Sequence, residues 1–234
     1  MYYIHRWFQM KIDLHDFFIH YDDSNPKHRA AVDELESKLP SDFLDDQSNW
    51  VKIFRAKAPK EILDVPWYPQ TDNFTQPNRT CNSSCCAMFL EYFKPGTLDG
   101  PKGDDEYLRR VFSFGDTTDH SAQTKALKSF GLNSEFHYDL TFWELDRQLK
   151  EQKPVVIGVK HRGSLWRPSG GHMVVVIGKT PDGDYVVNDP YGSWNDRYTG
   201  PVTNGKETVY KTKDLRYRWL CDGPTSGWGR IWQA

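Results

Sequence analysis

No apolar run in the chain approaches the roughly 18 residues that a membrane-spanning helix needs, which excludes that class of protein. The opening stretch, Met1-Tyr2-Tyr3-Ile4-His5-Arg6-Trp7-Phe8, lacks the apolar core of a secretory signal. These absences predict a chain made soluble in the cytoplasm, reaching the outside only by lysis, export or packaging in a virion. Met10 offers an alternative start, because the residues before it look unlike the patterned segment that follows. A dominant charge is missing as well: the net charge of -2 gives no electrostatic reason to expect nucleic acid or an anionic membrane as partner. Low-complexity tracts are absent, and with 38% hydrophobic and 26% charged residues the composition is that of a folded globule rather than a disordered chain. At 234 residues there is room for one large domain or a domain with a small appendage.

Cysteine is scarce, and its spacing argues against two further roles. Cys81, Cys85 and Cys86 crowd into one stretch and Cys221 stands alone. This is not the arrangement of separated pairs that holds zinc. Adjacent residues on a helix point in different directions, so a Cys85–Cys86 bridge is not expected. Free thiols in a reducing compartment are expected, with no metal and no cofactor. Aromatic side chains, by contrast, are plentiful at 15%, with 9 tryptophans. They fit core and rim packing, or a groove lined for sugars or peptides.

The first 62 residues read as a charged, helix-rich extension. Leu14, Phe17, Phe18 and Tyr21 fall at helical spacing. Ser24-Asn25-Pro26 starts a helix whose buried stripe is Ala30, Ala31, Val32, Leu35 and Leu39, and Pro40 stops it. Residues 50–55 are short and β-like. His15, Asp16, His20, Asp22 and Asp23 lack a metal-site spacing and read as a solvated face. Residues 58–61 read as a linker, and residues 63–234 as the main domain.

In that domain, Val65-Pro66-Trp67-Tyr68-Pro69-Gln70 is held extended by its prolines. A polar loop leads into a helix beginning near Cys81 and ended by Pro95-Gly96. Further helices are predicted over 104–112, over a stretch capped by Thr117-Thr118-Asp119 and running through Ala122, Ala126, Leu127 and Phe130 to Gly131, and over 142–149. The pattern then changes to strands at 154–160, 172–178 and 185–189, with a fourth near Glu207–Tyr210. Residues 161–171 read as a loop and Pro181-Asp182-Gly183-Asp184 as a hairpin turn. Helices first and antiparallel strands second make an α+β domain.

The chemistry converges on Cys81. A thiol in the first turn of a helix sits at the positive end of the dipole, which favours the thiolate. A cysteine nucleophile needs a base, and the base needs a third group to hold its ring. His172 opens one strand after Gly170-Gly171, and Asp189 closes the next strand of the same hairpin. The pairing of the two strands puts both residues at the edge facing Cys81. The carboxylate would favour imidazolium, and imidazolium would favour thiolate. Gln70, on the extended segment leading to Cys81, offers an amide to a developing oxyanion beside the Cys81 backbone N–H.

The order Gln70, Cys81 before a helix, Gly171-His172-Met173-Val174-Val175-Val176-Ile177-Gly178 and Asn188-Asp189-Pro190-Tyr191-Gly192 resembles the papain-like cysteine peptidases. More narrowly it is similar to their bacteriocin-processing-like branch, family thirty-nine. The resemblance implies a papain-like fold, in which a helical subdomain carrying the nucleophile helix packs on an antiparallel sheet. It also implies Cys81 as nucleophile, His172 as base, Asp189 as orienter and Gln70 as oxyanion donor. Many members have Cys-Gly-Pro after the nucleophile, where this chain has Cys81-Asn82-Ser83-Ser84. The N-terminal stretch, Asp72-Asn73 and Gly115-Asp116-Thr117-Thr118-Asp119-His120 look similar to stand-alone proteins of tailed cyanobacterial phages, which points to peptidoglycan as substrate.

Asp72, Asn73, His120 and Trp166 are the expected substrate contacts. His120 also opens a helix and is an alternative base, and His161 reads as a rim residue. Cys85 and Cys86 are expected in the core. Asp182-Gly183-Asp184 fits the hairpin turn better than a calcium loop. Three functions remain open at this level: a hydrolase cutting peptide or amide bonds of a protein, a leader peptide or peptidoglycan; an acyl transferase using the same residues; and a non-catalytic wall- or virion-binding module on a peptidase scaffold.

Overall fold

The computed structural model describes residues 62–233. The expectations for the N-terminal extension, its helices, its linker and Met10 lie outside these residues. The described part contains helices α1 (Cys81–Phe93), α2 (Gly103–Phe112), α3 (His120–Ser129), α4 (Phe142–Lys150) and α5 (Thr212–Trp219). Its strands are β1 (Ser134–Leu140), β2 (Val155–Ser164), β3 (Arg167–Lys179), β4 (Tyr185–Asn188), β5 (Thr208–Tyr210) and β6 (Gly227–Trp232). All six join one antiparallel sheet in the order β1-β6-β2-β3-β4-β5. The α+β class and the papain-like arrangement, with the helix that begins at Cys81 packed on an antiparallel sheet, are both present.

The sheet is covered on both faces, and strand periodicity assigns each residue to one of them. Val156, Met173, Val175, Ile177 and Val186 face a core shared with α1, α2 and α3. Val155, Ile157, Val159, Val174, Val176 and Val187 face a second core with Leu145 of α4 and Leu215 and Trp219 of α5. Double coverage explains why 172–178 reads as one unbroken apolar run instead of an alternating one.

Helix α1 is buried from Asn82 to Leu90, between β3 on one side and α2 and α3 on the other. Its first turn is polar yet enclosed, and each polar group there has a partner. Ser83 Oγ shares a hydrogen bond with Thr117 Oγ1 at 2.7 Å and accepts one from Gln123 Nε2 at 2.8 Å. Ser84 Oγ donates to Asp104 Oδ2 at 2.6 Å. The Asn82-Ser83-Ser84 run thus pins the start of the helix to α2 and the loop before α3.

Other boundaries follow local chemistry. Asp119 caps α3 by accepting from the Ser121 N–H at 2.8 Å, and Gly131 beyond its end has φ +76°. Thr141 and Glu144 form a capping box on α4. Gly183 takes φ +84° in the β3–β4 turn. One expectation is corrected. Residues 161–171 are not a loop: β2 and β3 stay paired as far as Ser164↔Arg167, with Gly163 and Gly170 both at positive φ. The arms project into solvent, where no buried face imposes alternation, so glycine, serine and proline there read as loop. Strands β1 and β6 and helix α5 were not anticipated.

Candidate active site

Three segments meet at the start of α1. The strap 62–70 is stitched to the far end of the sheet: Leu63 N–H donates to Ile177 O at 2.7 Å, Asn188 Nδ2 to Val65 O at 3.1 Å, Trp67 Nε1 to Asp189 O at 3.0 Å and Gln70 N–H to Pro190 O at 2.9 Å. The strap therefore brings Gln70 to the end of β4, where Asp189 leaves the sheet. Helix α1 begins at Cys81, whose thiol is partly exposed, with Thr80 as N-cap. No side chain caps this end, so its first N–H groups remain available to an anion.

His172 and Asp189 are brought together by the β3–β4 pairing. His172 Nε2 and Asp189 Oδ1 are 2.7 Å apart, and the two residues are 4% and 0% exposed. Burial opposes charge on His172. The Asp189 carboxylate, its hydrogen bond and the Cys81 thiol outweigh that, and raise the His172 pKa to about 10. With Nε2 committed to Asp189, Nδ1 is the nitrogen left for the thiol.

Asp189 is itself held on every side. Oδ1 also accepts from Tyr191 N–H at 2.9 Å, while Oδ2 accepts from Tyr210 at 2.6 Å and Tyr198 at 3.2 Å. Burial first, then the charge of Asp189, push both phenol pKa values up, so both remain donors. Neither tyrosine was found from sequence. Tyr198 has φ +57° in an irregular loop and Tyr210 ends a three-residue strand, so no periodicity or motif marked them.

Gln70 is 2% exposed. One N–H of its amide donates to Pro77 O at 2.7 Å, fixing the group and leaving the second N–H free of that bond. Asn73 is turned inward: its Nδ2 donates to Thr80 Oγ1 at 2.9 Å and Ser84 Oγ at 3.1 Å, tying the loop to α1. Asp72 faces outward, with Lys102 Nζ 3.9 Å from its carboxylate. Trp166 stands 78% exposed at the tip of the β2–β3 hairpin, its ring edge-on to Tyr217 at 5.2 Å. It lies on a projecting arm rather than among the buried groups.

His120 lies beside the residue following the thiol. Its Nδ1 is 3.2 Å from Asn82 Nδ2 and its ring stacks on Phe136 at 3.6 Å between centroids. Burial, then the charge of Arg230, lower its pKa to about 4. Asn82 Oδ1 is the acceptor for the Cys86 thiol, so Nδ2 donates to His120, and His120 is a neutral imidazole protonated at Nε2.

The other thiols differ from Cys81. Cys85 donates to Met173 O at 3.2 Å and Cys86 to Asn82 Oδ1 at 3.7 Å, both fully buried in the core as expected. Burial raises both pKa values, and that of Cys221 as well. A second histidine adjoins the site: the His161 ring lies 5.0 Å from that of His172.

Residues 62–220 match the profile of the Peptidase_C39 like family. The chain belongs to that family. Its members being peptidases, the substrate class is peptide, and the papain-like fold agrees with it. A putative C39-like peptidase from Bacillus anthracis superposes with a TM-score of 0.53 at 14% identity, covering 75% of this chain and 98% of the other. A double glycine motif protease from an AMS/PCAT transporter, solved with its leader peptide, gives 0.45 at 16% identity, covering 74% and 94%. Among curated proteins none is significantly similar to this chain.

Proposed function

We propose that this C39-like protein hydrolyses peptide bonds through a Cys81-His172-Asp189 triad, with Gln70 as oxyanion donor. The observation that carries the reading is the buried 2.7 Å contact of His172 with Asp189, made while the Cys81 thiol lies within reach of the same imidazole. In the resting site the proton sits on His172 and the charge on sulfur. Cys81 Sγ attacks the carbonyl carbon, and the oxygen gathers negative charge between the Gln70 amide and the N–H at the start of α1. As the C–N bond breaks, His172 passes its proton to the leaving amine. A thioester remains on Cys81. His172, now neutral, takes a proton from water, whose oxygen attacks the thioester and releases the acid, and the thiolate–imidazolium pair returns.

Asp72, His120 and Trp166 are the proposed substrate contacts; Asn73 belongs to the scaffold behind them. A peptidoglycan stem peptide is the finer reading. It is supported by the likeness of residues 72–73 and 115–120 to phage proteins, and would place the protein's action at a cell wall. Digests of a denatured protein mixture and of purified peptidoglycan, read by mass spectrometry for new termini, test both levels. New termini in either digest that vanish with Cys81→Ala support the hydrolase; termini in peptidoglycan alone support the finer reading. No new termini, with wall binding indifferent to Cys81→Ala, would establish the binding module instead.

Gln70→Ala is expected to lower kcat by about 10²- to 10³-fold with little change in KM. The check is steady-state kinetics on the best substrate from the digest, and an equal rise in KM at constant kcat would assign Gln70 to ground-state binding.

A further inference from the structure

The ring of His172 is enclosed by other rings. His161 lies 5.0 Å from it, Tyr198 6.0 Å and Tyr191 6.2 Å, centroid to centroid. These neighbours also touch one another: Tyr198 is 5.5 Å from His161 and 5.5 Å from Tyr191. Tyr191 and Tyr198 come from the segment after β4 that carries Asp189, and both hydrogen-bond its carboxylate. His161 comes from β2, the strand on the other side of β3. It is the member of the enclosure that does not touch Asp189 through a hydrogen bond of its own.

Local structure holds that ring in place. Gly170 faces His161 across the β2–β3 hairpin, with φ +69°. A Cβ there would lie 3.1 Å from His161 Cε1 and 3.4 Å from Nδ1, so glycine leaves the space the imidazole occupies. Arg162 Nε donates to His161 Nε2 at 3.1 Å. Nδ1 is buried and without a hydrogen bond of ordinary geometry. The groups facing His161 are therefore His172 from β3, Arg162 from its own strand, Asp189 beyond β4, and the Tyr198 phenol. Two of them, His172 and Arg162, are cations when His172 is protonated, and Nε2 accepts the Arg162 N–H only while it carries no proton. Burial, then His172 and Arg162, accordingly lower the His161 pKa to about 4. The ring is a neutral cover.

We propose that His161 is a positioning residue, a neutral imidazole that with Tyr198 seals the His172–Asp189 pair from water and so sustains the imidazolium. The inference rests on the triad reading of the same site. Water reaching the pair would relieve the burial penalty, but it would also weaken the carboxylate attraction and hydrogen bonding that together outweigh it, and the imidazolium would lose the difference.

The test uses the full chain in a Cys81→Ala background, where the pair titrates without the thiol. With 15N-labelled histidine, the His172 midpoint is followed by NMR. His161→Ala is expected to lower it by about one unit or more, and His161→Phe, which restores the cover without the imidazole, to leave it in place. A well-folded His161→Ala variant with an unmoved midpoint would overturn the proposal. So would His161→Phe shifting it as far as His161→Ala, because the imidazole's own chemistry would then be required. If His161→Ala does not fold, His161→Gln, which keeps an acceptor for Arg162 but covers less, is compared with His161→Phe on the same terms. A Cys81→Ala parent whose His172 midpoint is not raised would instead defeat the triad reading.

Discussion

Cys81→Ala is expected to cut kcat/KM on peptide by about 10⁴-fold or more while leaving the fold near wild-type stability. The reason is the contrast between this thiol and its neighbours. Cys81 is partly exposed at the first residue of α1, so its removal opens no sealed cavity. No other thiol can stand in for it. Cys85 and Cys86 are fully buried with raised pKa values, and each donates to a fixed acceptor in the core. Cys85→Ala should give the mirror image, a less stable protein that still turns over. Kinetics on the digest substrate and thermal unfolding of both variants check this pair. A Cys81→Ala enzyme retaining a tenth of wild-type kcat/KM would remove sulfur from the mechanism.

Asp189→Ala carries the second large effect, and it falls on stability as well as rate. The carboxylate is the common acceptor for His172 Nε2, Tyr191 N–H, Tyr198 and Tyr210. Its loss leaves four donors facing a hole in a fully buried place, at a cost of about 3–5 kcal/mol. Activity should fall by about 10²- to 10⁴-fold, since His172 loses both its orientation and the attraction that sustains its charge. The pH dependence follows the sign of the shift. The His172 pKa is raised above its ordinary 6.5 to about 10. The pair's contribution is therefore fully present below pH 6.5 and is lost as pH rises through 10. Asp104, whose pKa burial raises to about 7, shifts with the same sign but only up to that pH. Urea unfolding compared at about pH 7.5 and about pH 8.5 lies above the Asp104 titration and below most of the thiol and phenol titration, so the His172 effect dominates it. Wild type should lose stability across that interval and Asp189→Ala should lose less. Equal slopes would deny the ion pair.

The site's main line could be read from sequence because it depends on local rules. The 172–178 strand, the Gly183 turn and the 185–188 strand form one hairpin, and pairing alone fixes which of its ends meet. Asp119 before α3 and Gly131 after it gave that helix its bounds by capping chemistry. Gln70 drew notice as a candidate because the prolines before it hold the chain extended on the way to Cys81. What escaped was determined at long range. Strand β6 carries Gly227 and Gly229, where a Cβ would lie 2.4 Å from Leu140 O and 2.6 Å from Val156 O respectively. It also carries Arg230, whose buried guanidinium donates to Thr124, Ser134 and the His120 carbonyl. Glycine at close backbone approaches and a charge in the core do not look like a strand, and only the folded neighbours explain them. Tyr198, Tyr210 and His161 are further cases. Each acts on the His172–Asp189 pair through tertiary contact, with no spacing to announce it.

The central claim is that Cys81, alone among the four cysteines, is held as a reactive thiolate by His172 and Asp189. The most direct measurement is the rate of iodoacetamide labelling at each cysteine near pH 6, read by peptide mass spectrometry. Cys221 is the informative comparison, because Cys85 and Cys86 are shielded by burial whatever their chemistry. Cys81 should label at least about tenfold faster than Cys221, and the advantage should shrink in Asp189→Ala. Cys81 labelling no faster than Cys221 would contradict the account.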